Sequence, residues 1–435
     1  MQLKQSQVLW LILAVSLLAR VAAAIAVDWH VEKQGRRFLI EGDANGYWEL
    51  GQKIAAGETY AIHTPPRYVL RTPGFPLLLA VPIRLFGDRV LPATIMLAGV
   101  GTGCVWLTYL LGRRVTSETT ALFAASVVAV APLHVGNSVL ILSETWFAFW
   151  MLIAMLIFQR LPGTWQANAD SKAGISDDER NSLPGGCAIA FAAGLATGCG
   201  VLVRPGWILW PGVAALLLLA FGTGPFFRRI LLAAILGCGC FVALTPWAWR
   251  NYEVTGHWVM TSLWSGPSLY DGLHSEATGA SDMQFFDDEK LPLKMSEYEV
   301  NETYKARAWQ FARENPGRAI ELGLLKAGRY LSLSPNAAGF SSGLFYLICL
   351  AVSLVSGVFM AIGIWVQRKT LGICVFLLAP FLQFLLVHMV FIGSVRYRLP
   401  VEFPLAILVG AGMESMKNRI MRAEDFCEDG HGKSG

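Results

Sequence analysis

The sequence predicts an all-α, polytopic membrane protein with about ten transmembrane helices and further helices lying on the membrane surface. Three observations point there. Of 435 residues, 54% are hydrophobic and only 15% charged, with a mean hydropathy of +0.48; a soluble domain carries about 25% charged residues. Ten apolar runs punctuate the chain, most near the roughly 20 residues that a bilayer needs. The basic clusters between them all fall on one side when ten spans are counted, as the positive-inside rule requires.

The runs are Val8–Val27, Val90–Leu111, Ala121–Leu140, Trp146–Phe158, Cys187–Val203, Gly206–Phe221, Ile230–Trp247, Gly343–Val366, Leu371–Ile392 and Leu399–Met413. The first is longer than a signal-peptide core and lacks a clear small-residue cleavage site, so it reads as an uncleaved span. Gly74–Phe86 is apolar but short and contains Pro76 and Pro82; it reads as a surface-lying or re-entrant helix. Lys4, Arg113-Arg114, Arg160, Arg228-Arg229, Arg368-Lys369 and Lys417/Arg419/Arg422 then all face the cytoplasm, with both termini inside. Residues 1–413 form one membrane domain, and 414–435 a cytoplasmic tail. The polar segment Gln166–Pro184 reads as a flexible cytoplasmic connector.

Two long segments face outward, residues 28–72 and 248–342. Within the second, Glu297–Tyr330 spaces Trp309, Phe311, Ile320, Leu324 and Leu325 helically among Arg and Lys, a pattern suited to a surface-lying helix. The net charge of +4 follows from basic loop ends and requires no nucleic-acid partner. The eight cysteines are scattered, most within apolar runs, with no Cys-x-x-Cys or Cys/His metal spacing.

Acids at span ends are costly unless water, a metal or a substrate compensates. Asp43 follows the first span in Glu41-Gly42-Asp43-Ala44-Asn45-Gly46-Tyr47-Trp48, and Glu144 opens another in Leu142-Ser143-Glu144-Thr145-Trp146. Both fall on the outer side, as expected of a reaction site at the water–lipid boundary. Each also has a local reading: Asp43 as the cap of a helix starting near Ala44, Glu144 as an acid favoured at a helix N-terminus. Arg67, Arg71, Arg204, Arg250, Arg396 and Arg398 also gather at outer span ends. The planar guanidinium suits bidentate phosphate binding, although snorkelling to headgroups places arginine there too.

Six pieces of sequence, in order, carry a resemblance. They are Gly42-Asp43 followed by Tyr47; Arg71-Thr72-Pro73-Gly74-Phe75-Pro76; Ser143-Glu144; Arg204-Pro205; Pro246-Trp247-Ala248-Trp249-Arg250-Asn251-Tyr252; and Arg396-Tyr397-Arg398-Leu399-Pro400. Together they resemble bacterial relatives of the dolichyl-phosphate-mannose protein mannosyltransferases, within the GT-C glycosyltransferase fold. The resemblance implies an enzyme that moves a sugar from a polyprenyl-phosphate or pyrophosphate carrier to a lipid, glycan or protein acceptor outside the cytoplasm, in a bacterial inner membrane. It makes Asp43 the general base and Glu144 an acceptor-positioning acid or a metal ligand shared with Asp43. Arg204, Arg250, Arg396 and Arg398 become the donor-phosphate candidates, with Tyr47, Arg71, Asn251, Tyr252, Tyr270 and Tyr397 as further substrate-binding residues. His63 is a third ligand if a divalent ion is used, otherwise a hydrogen-bond donor or simply a solvated loop histidine; the sequence leaves the metal requirement open. Thr261–Gly272, with Leu269-Tyr270-Asp271-Gly272 at its end, resembles a family stretch near the donor pocket.

Two departures bear on the acceptor. No second acid adjoins Asp43, and the chain stops soon after Met413 without a large soluble C-terminal domain. A small or lipid-linked acceptor stays open. The alternative function is a transporter or flippase of a lipid-linked or anionic solute; a catalytically inactive scaffold is a third. Transporters place ionisable groups near mid-membrane, often within inverted repeats. Here no repeat is evident, the charges cluster at outer span ends, and Gln383 and His388 within the ninth span are the only polar hints near mid-membrane.

Overall fold

The computed structural model describes residues 4–165, 183–336 and 343–431, with side chains to residue 423. Most of the expected connector at Gln166–Pro184 lies outside the described residues. Among those residues the structure is helical, with two isolated β-bridges, Ile62–Arg67 and Gly163–Gly222.

Seven of the expected spans are helices long and apolar enough to cross a bilayer: Gln5–Lys33, Val90–Val115, Leu183–Val201, Phe226–Thr255, Gly343–Lys369, Leu371–Val390 and Val395–Ala423. The other three runs form shorter apolar helices, Glu118–Val130, Glu144–Phe158 and Pro205–Phe221. Gly74–Phe86 is also a short apolar helix.

Three boundaries differ from the sequence reading, each for a local reason. The run 121–140 breaks in two, because Pro132 forces Ala131 out of the helical region (ψ 122°). Carbonyls near this break meet Arg20 of the first helix. Its guanidinium donates to Ala129 O at 2.8 Å, Val128 O at 3.0 Å and Ser16 Oγ at 2.6 Å. The helix carrying Trp247 passes through Pro246 and continues to Thr255, so Arg250, Asn251 and Tyr252 are helical; Gly256, at φ 73°, ends it. The last helix begins at Val395, four residues before the expected span, and continues to His431, so the expected tail is largely helical.

Close helix packing rests on small residues, as is usual where lipid removes the hydrophobic drive between helices. A Cβ on Gly239 would meet the Phe191 carbonyl, and one on Gly412 the Phe359 carbonyl. These contacts bind 226–255 to 183–201, and the last helix to 343–366.

The outer segments form short helices over one end of the bundle. Residues 43–56 and 74–86 pack together, and the expected surface helix divides into Glu297–Glu314 and Pro316–Leu331 at Asn315-Pro316. In the second of these, Leu322, Lys326 and Tyr330 are buried while Ile320 and Leu324 are exposed. That leaves an outward apolar face of the kind a membrane surface covers. Lys326 fastens this helix inward: its Nζ donates to Gly272 O at 3.1 Å and Val390 O at 2.7 Å.

Candidate active site

Three helix starts converge beneath these outer helices. Gly42, at φ 75°, turns the chain into the helix 43–56, so Asp43 is its first residue rather than its cap. Glu144 is the first residue of 144–158, and Arg396 lies in the first turn of the last helix. The positive end of a helix dipole favours an acid at the first two of these positions. Arg71 arrives on the loop before the helix 74–86. Arg204 sits in the extended turn before a 3-10 segment.

These residues form one chain of ion pairs. Arg71 Nη2 lies 2.5 Å from Asp43 Oδ1, and Arg396 Nη2 lies 2.9 Å from Asp43 Oδ2. Arg396 Nε also donates to Glu144 Oε1, which accepts from Arg204 Nη1 at 2.8 Å. Arg396 therefore bridges the two acids, whose sequence positions are about a hundred residues apart. Glu144 is fully buried, and its Oε2 has no hydrogen-bond partner among the described residues. Asp43 remains 28% exposed.

Aromatic faces hold the guanidiniums. Arg71 lies 4.8 Å from the Tyr47 ring centre, and Arg204 lies 4.9 Å from that of Tyr397. Tyr397 stacks on His388 at 4.4 Å, and Tyr47 OH donates to Ser143 Oγ at 3.4 Å. Burial pushes the Asp43 carboxyl up, but Arg71 and Arg396 outweigh it and hold it well below the usual carboxylate range.

The network borders a cavity of about 650 Å³, whose wall includes Asp43, Tyr47, Arg71, Arg204, Arg396 and Tyr397. The wall also includes Thr261, Ser262, Trp264, Ser265 and Ser268 from the outer stretch before Tyr270. Sequence reading did not single out Ser143, Asp271 or Ser281 as site residues, yet they line it as well. His388 lines it too; the sequence marked it only as a polar residue within a span.

The other candidates lie outside this wall. His63 is exposed on its loop, with φ 71°. Arg250 is committed to backbone: its two Nη atoms donate to Tyr68 O at 2.6 Å and Tyr60 O at 2.8 Å. Asn251 Nδ2 donates to Val259 O at 2.8 Å. Tyr252 stacks on Trp258, and Tyr270 packs among Phe285, His274 and Tyr304. Arg398 turns to the other side of its helix, pairing with Glu402 and capping the Tyr330 and Ser332 carbonyls.

The donor set does not suit a divalent cation. Both Asp43 oxygens and Glu144 Oε1 are engaged by guanidiniums, and a dication there would face three positive side chains. No group of three His, Cys, Asp or Glu side chains with metal-holding geometry occurs among the described residues.

The overall fold is similar to that of the oligosaccharyltransferase AglB of Archaeoglobus fulgidus, solved in complex with an inhibitory peptide and a dolichol-phosphate. The TM-score is 0.56 at 14% identity, over 96% of this chain and 52% of that one. The fold is the GT-C glycosyltransferase fold. An Archaeoglobus fulgidus oligosaccharyltransferase solved with zinc and sulfate aligns at TM-score 0.55 and 15% identity, over 94% of this chain and 49% of that one. The chain thus spans about half the length of the archaeal enzyme. ArnT from Cupriavidus metallidurans, bound to undecaprenyl phosphate, aligns at TM-score 0.43 and 17% identity over 93% of this chain and 77% of that one. In sequence, the model of the dolichyl-phosphate-mannose-protein mannosyltransferase family matches residues 86–223. That stretch contains Glu144 and Arg204 but neither Asp43 nor Arg396. No curated protein matches the sequence.

Proposed function

We propose that this GT-C chain is a membrane glycosyltransferase. It would move a sugar from a polyprenyl-phosphate or pyrophosphate carrier to a hydroxyl-bearing acceptor on the extracytoplasmic side of a bacterial inner membrane. One observation carries the reading: Arg396, in the wall of a large cavity with Asp43, Arg71 and Arg204, joins Asp43 to the buried Glu144 behind that wall. The dolichol-phosphate in the structure of the archaeal enzyme belongs to the class of carrier proposed here.

The chemistry follows from the charge count. Three guanidiniums face two carboxylates, so the cluster carries one net positive charge and has room for an anion. A donor phosphate suits Arg204 and Arg396, which reach the cavity from two different elements. There their charges would stabilise the negative charge that grows on the phosphate as the glycosidic bond breaks. Asp43, paired with two arginines, is a weak base. Drawing Arg396 towards the phosphate removes one partner and raises its basicity. Asp43 then takes the proton of the acceptor hydroxyl as that oxygen attacks the sugar, a role worth about 10²–10⁴-fold in rate. Glu144, buried behind Arg204 and Arg396, would hold both in place. No step requires a metal ion.

The test is a panel of radiolabelled polyprenyl-phosphate sugars offered to the purified chain in detergent, with and without candidate acceptors. Release of sugar from one member supports the assignment and names the sugar. If every member binds without release, and the chain instead moves such lipids between vesicle leaflets, the transporter reading replaces it.

A further inference from the structure

We propose that a second pocket, on the other side of the last helix from the catalytic cavity, binds an uncharged long-chain lipid through a hydroxyl on its head group. The first turns of the last helix serve both sites. Arg396 and Tyr397 line the first cavity; Arg398 and Glu402 line the second. Between them stands the Tyr330 ring, 5.8 Å from His388 of the first wall and 5.6 Å from Phe381 of the second.

The second pocket holds about 220 Å³, about seven times a water molecule's share of roughly 30 Å³ in the liquid. Its wall is apolar, drawn from the broken helix at 127–134, from 343–366 and from the last helix. At its polar end stands His134. The side chain is buried, and neither ring nitrogen has a hydrogen-bond partner among the described residues. Its Nδ1 lies 3.7 Å from Glu402 Oε2, beyond direct hydrogen-bonding distance. Buried polar atoms are rarely left unpaired, and each such atom invites an explanation.

The charges decide the class of head group. The Arg398 guanidinium is already committed to Glu402 Oε1 at 2.5 Å and to the Tyr330 and Ser332 carbonyls at 2.9 and 2.8 Å. Arginine and glutamate cancel, so no cation is left over for a phosphate, whose charge would enter this apolar wall without a counter-charge. A hydroxyl meets the requirement. It donates to the carboxylate or imidazole and accepts from an imidazole N–H. Ser353 and Ser356 add two more hydroxyl partners along the wall. The hydrocarbon part fits the remainder. Leu331 and Leu333 are exposed at the margin, Val352 is half-buried, and Gly357 leaves open space where a side chain would stand.

The test uses a long-chain alcohol carrying a photoreactive diazirine, beside the corresponding phosphate monoester, on the full chain in lipid nanodiscs. Crosslinked peptides are mapped by mass spectrometry. The alcohol is expected to label 127–134 and 352–360 above the general lipid-facing background, and the phosphate at least tenfold less. Gly357→Leu fills the open space and should abolish this labelling while sugar transfer persists. Should that variant misfold, His134→Phe decides: it keeps the wall apolar and should lower labelling about tenfold. Equal labelling by the phosphate, labelling no higher than background, or labelling unchanged in the variants would overturn the proposal.

Discussion

At the scale of single residues, Arg396 is the side chain on which the site turns, because among the described residues it alone contacts both acids. Its planar fork reaches Asp43 with Nη2 and Glu144 with Nε, a division that a lysine ammonium cannot reproduce. Arg396→Lys should therefore fail nearly as fully as Arg396→Ala, with donor affinity lower by tenfold or more in each. Binding of a radiolabelled donor checks this, and wild-type affinity in the lysine variant would remove the fork argument. Asp43 gives a pH prediction. Its carboxyl in the folded chain lies below the unfolded value of about 3.9. The stabilisation from its ion pairs is fully present above that value and lost as pH falls through the folded one. The acid limb of kcat/KM, which reports the free enzyme, should thus lie below the usual carboxylate range. Arg71→Gln removes one partner and should move that limb upward; an unmoved limb would separate Asp43 from the pH profile. Much of this was legible in the sequence. Asp43, Glu144, Arg204 and Arg396 stood out as charges at the outer ends of apolar runs. Arg250 and Arg398 carried the same signature and have other work, since their partners include carbonyls from segments 66 to 190 residues distant. No local pattern encodes such partners.

Elements position these residues through a few close contacts. Gly74 opens the helix after Arg71; its N–H donates to Leu202 O at 2.9 Å, and its carbonyl accepts from Trp146 Nε1 at 3.1 Å. A Cβ there would stand 2.6 Å from the Leu202 carbonyl oxygen. Gly74→Ala should push this helix off the turn before Arg204 and lower turnover, with thermal stability falling in parallel; an unchanged melting temperature and rate would contradict the packing account. Arg20 plays a matching part within the membrane, meeting the Val128 and Ala129 carbonyls near the break at Pro132. Arg20→Met should cost about 1–3 kcal/mol for each carbonyl left unpaired, read as a lowered melting temperature in detergent. Span existence was readable from hydropathy, whereas the break at Ala131-Pro132 and the long continuation to Thr255 were not. Pro132 breaks its helix and Pro246 does not, a difference that depends on what surrounds each.

Across the whole molecule, orientation unites the account. The basic clusters at Arg113-Arg114, Arg228-Arg229 and Arg368-Lys369 mark one side, and the cavity with its acids and arginines lies towards the other. A cysteine replacing Thr278 should react with a membrane-impermeant maleimide from outside, and one replacing Lys417 only after the membrane is opened; both positions are exposed. The reverse pattern would place the cavity in the cytoplasm and undo the choice of donor. The most direct test of the central claim sets Asp43→Asn beside the wild type and measures donor binding and sugar transfer on the same preparations. Binding of the polyprenyl-phosphate sugar should stay near normal while transfer falls by at least about 10²-fold. Normal turnover by Asp43→Asn would contradict that claim.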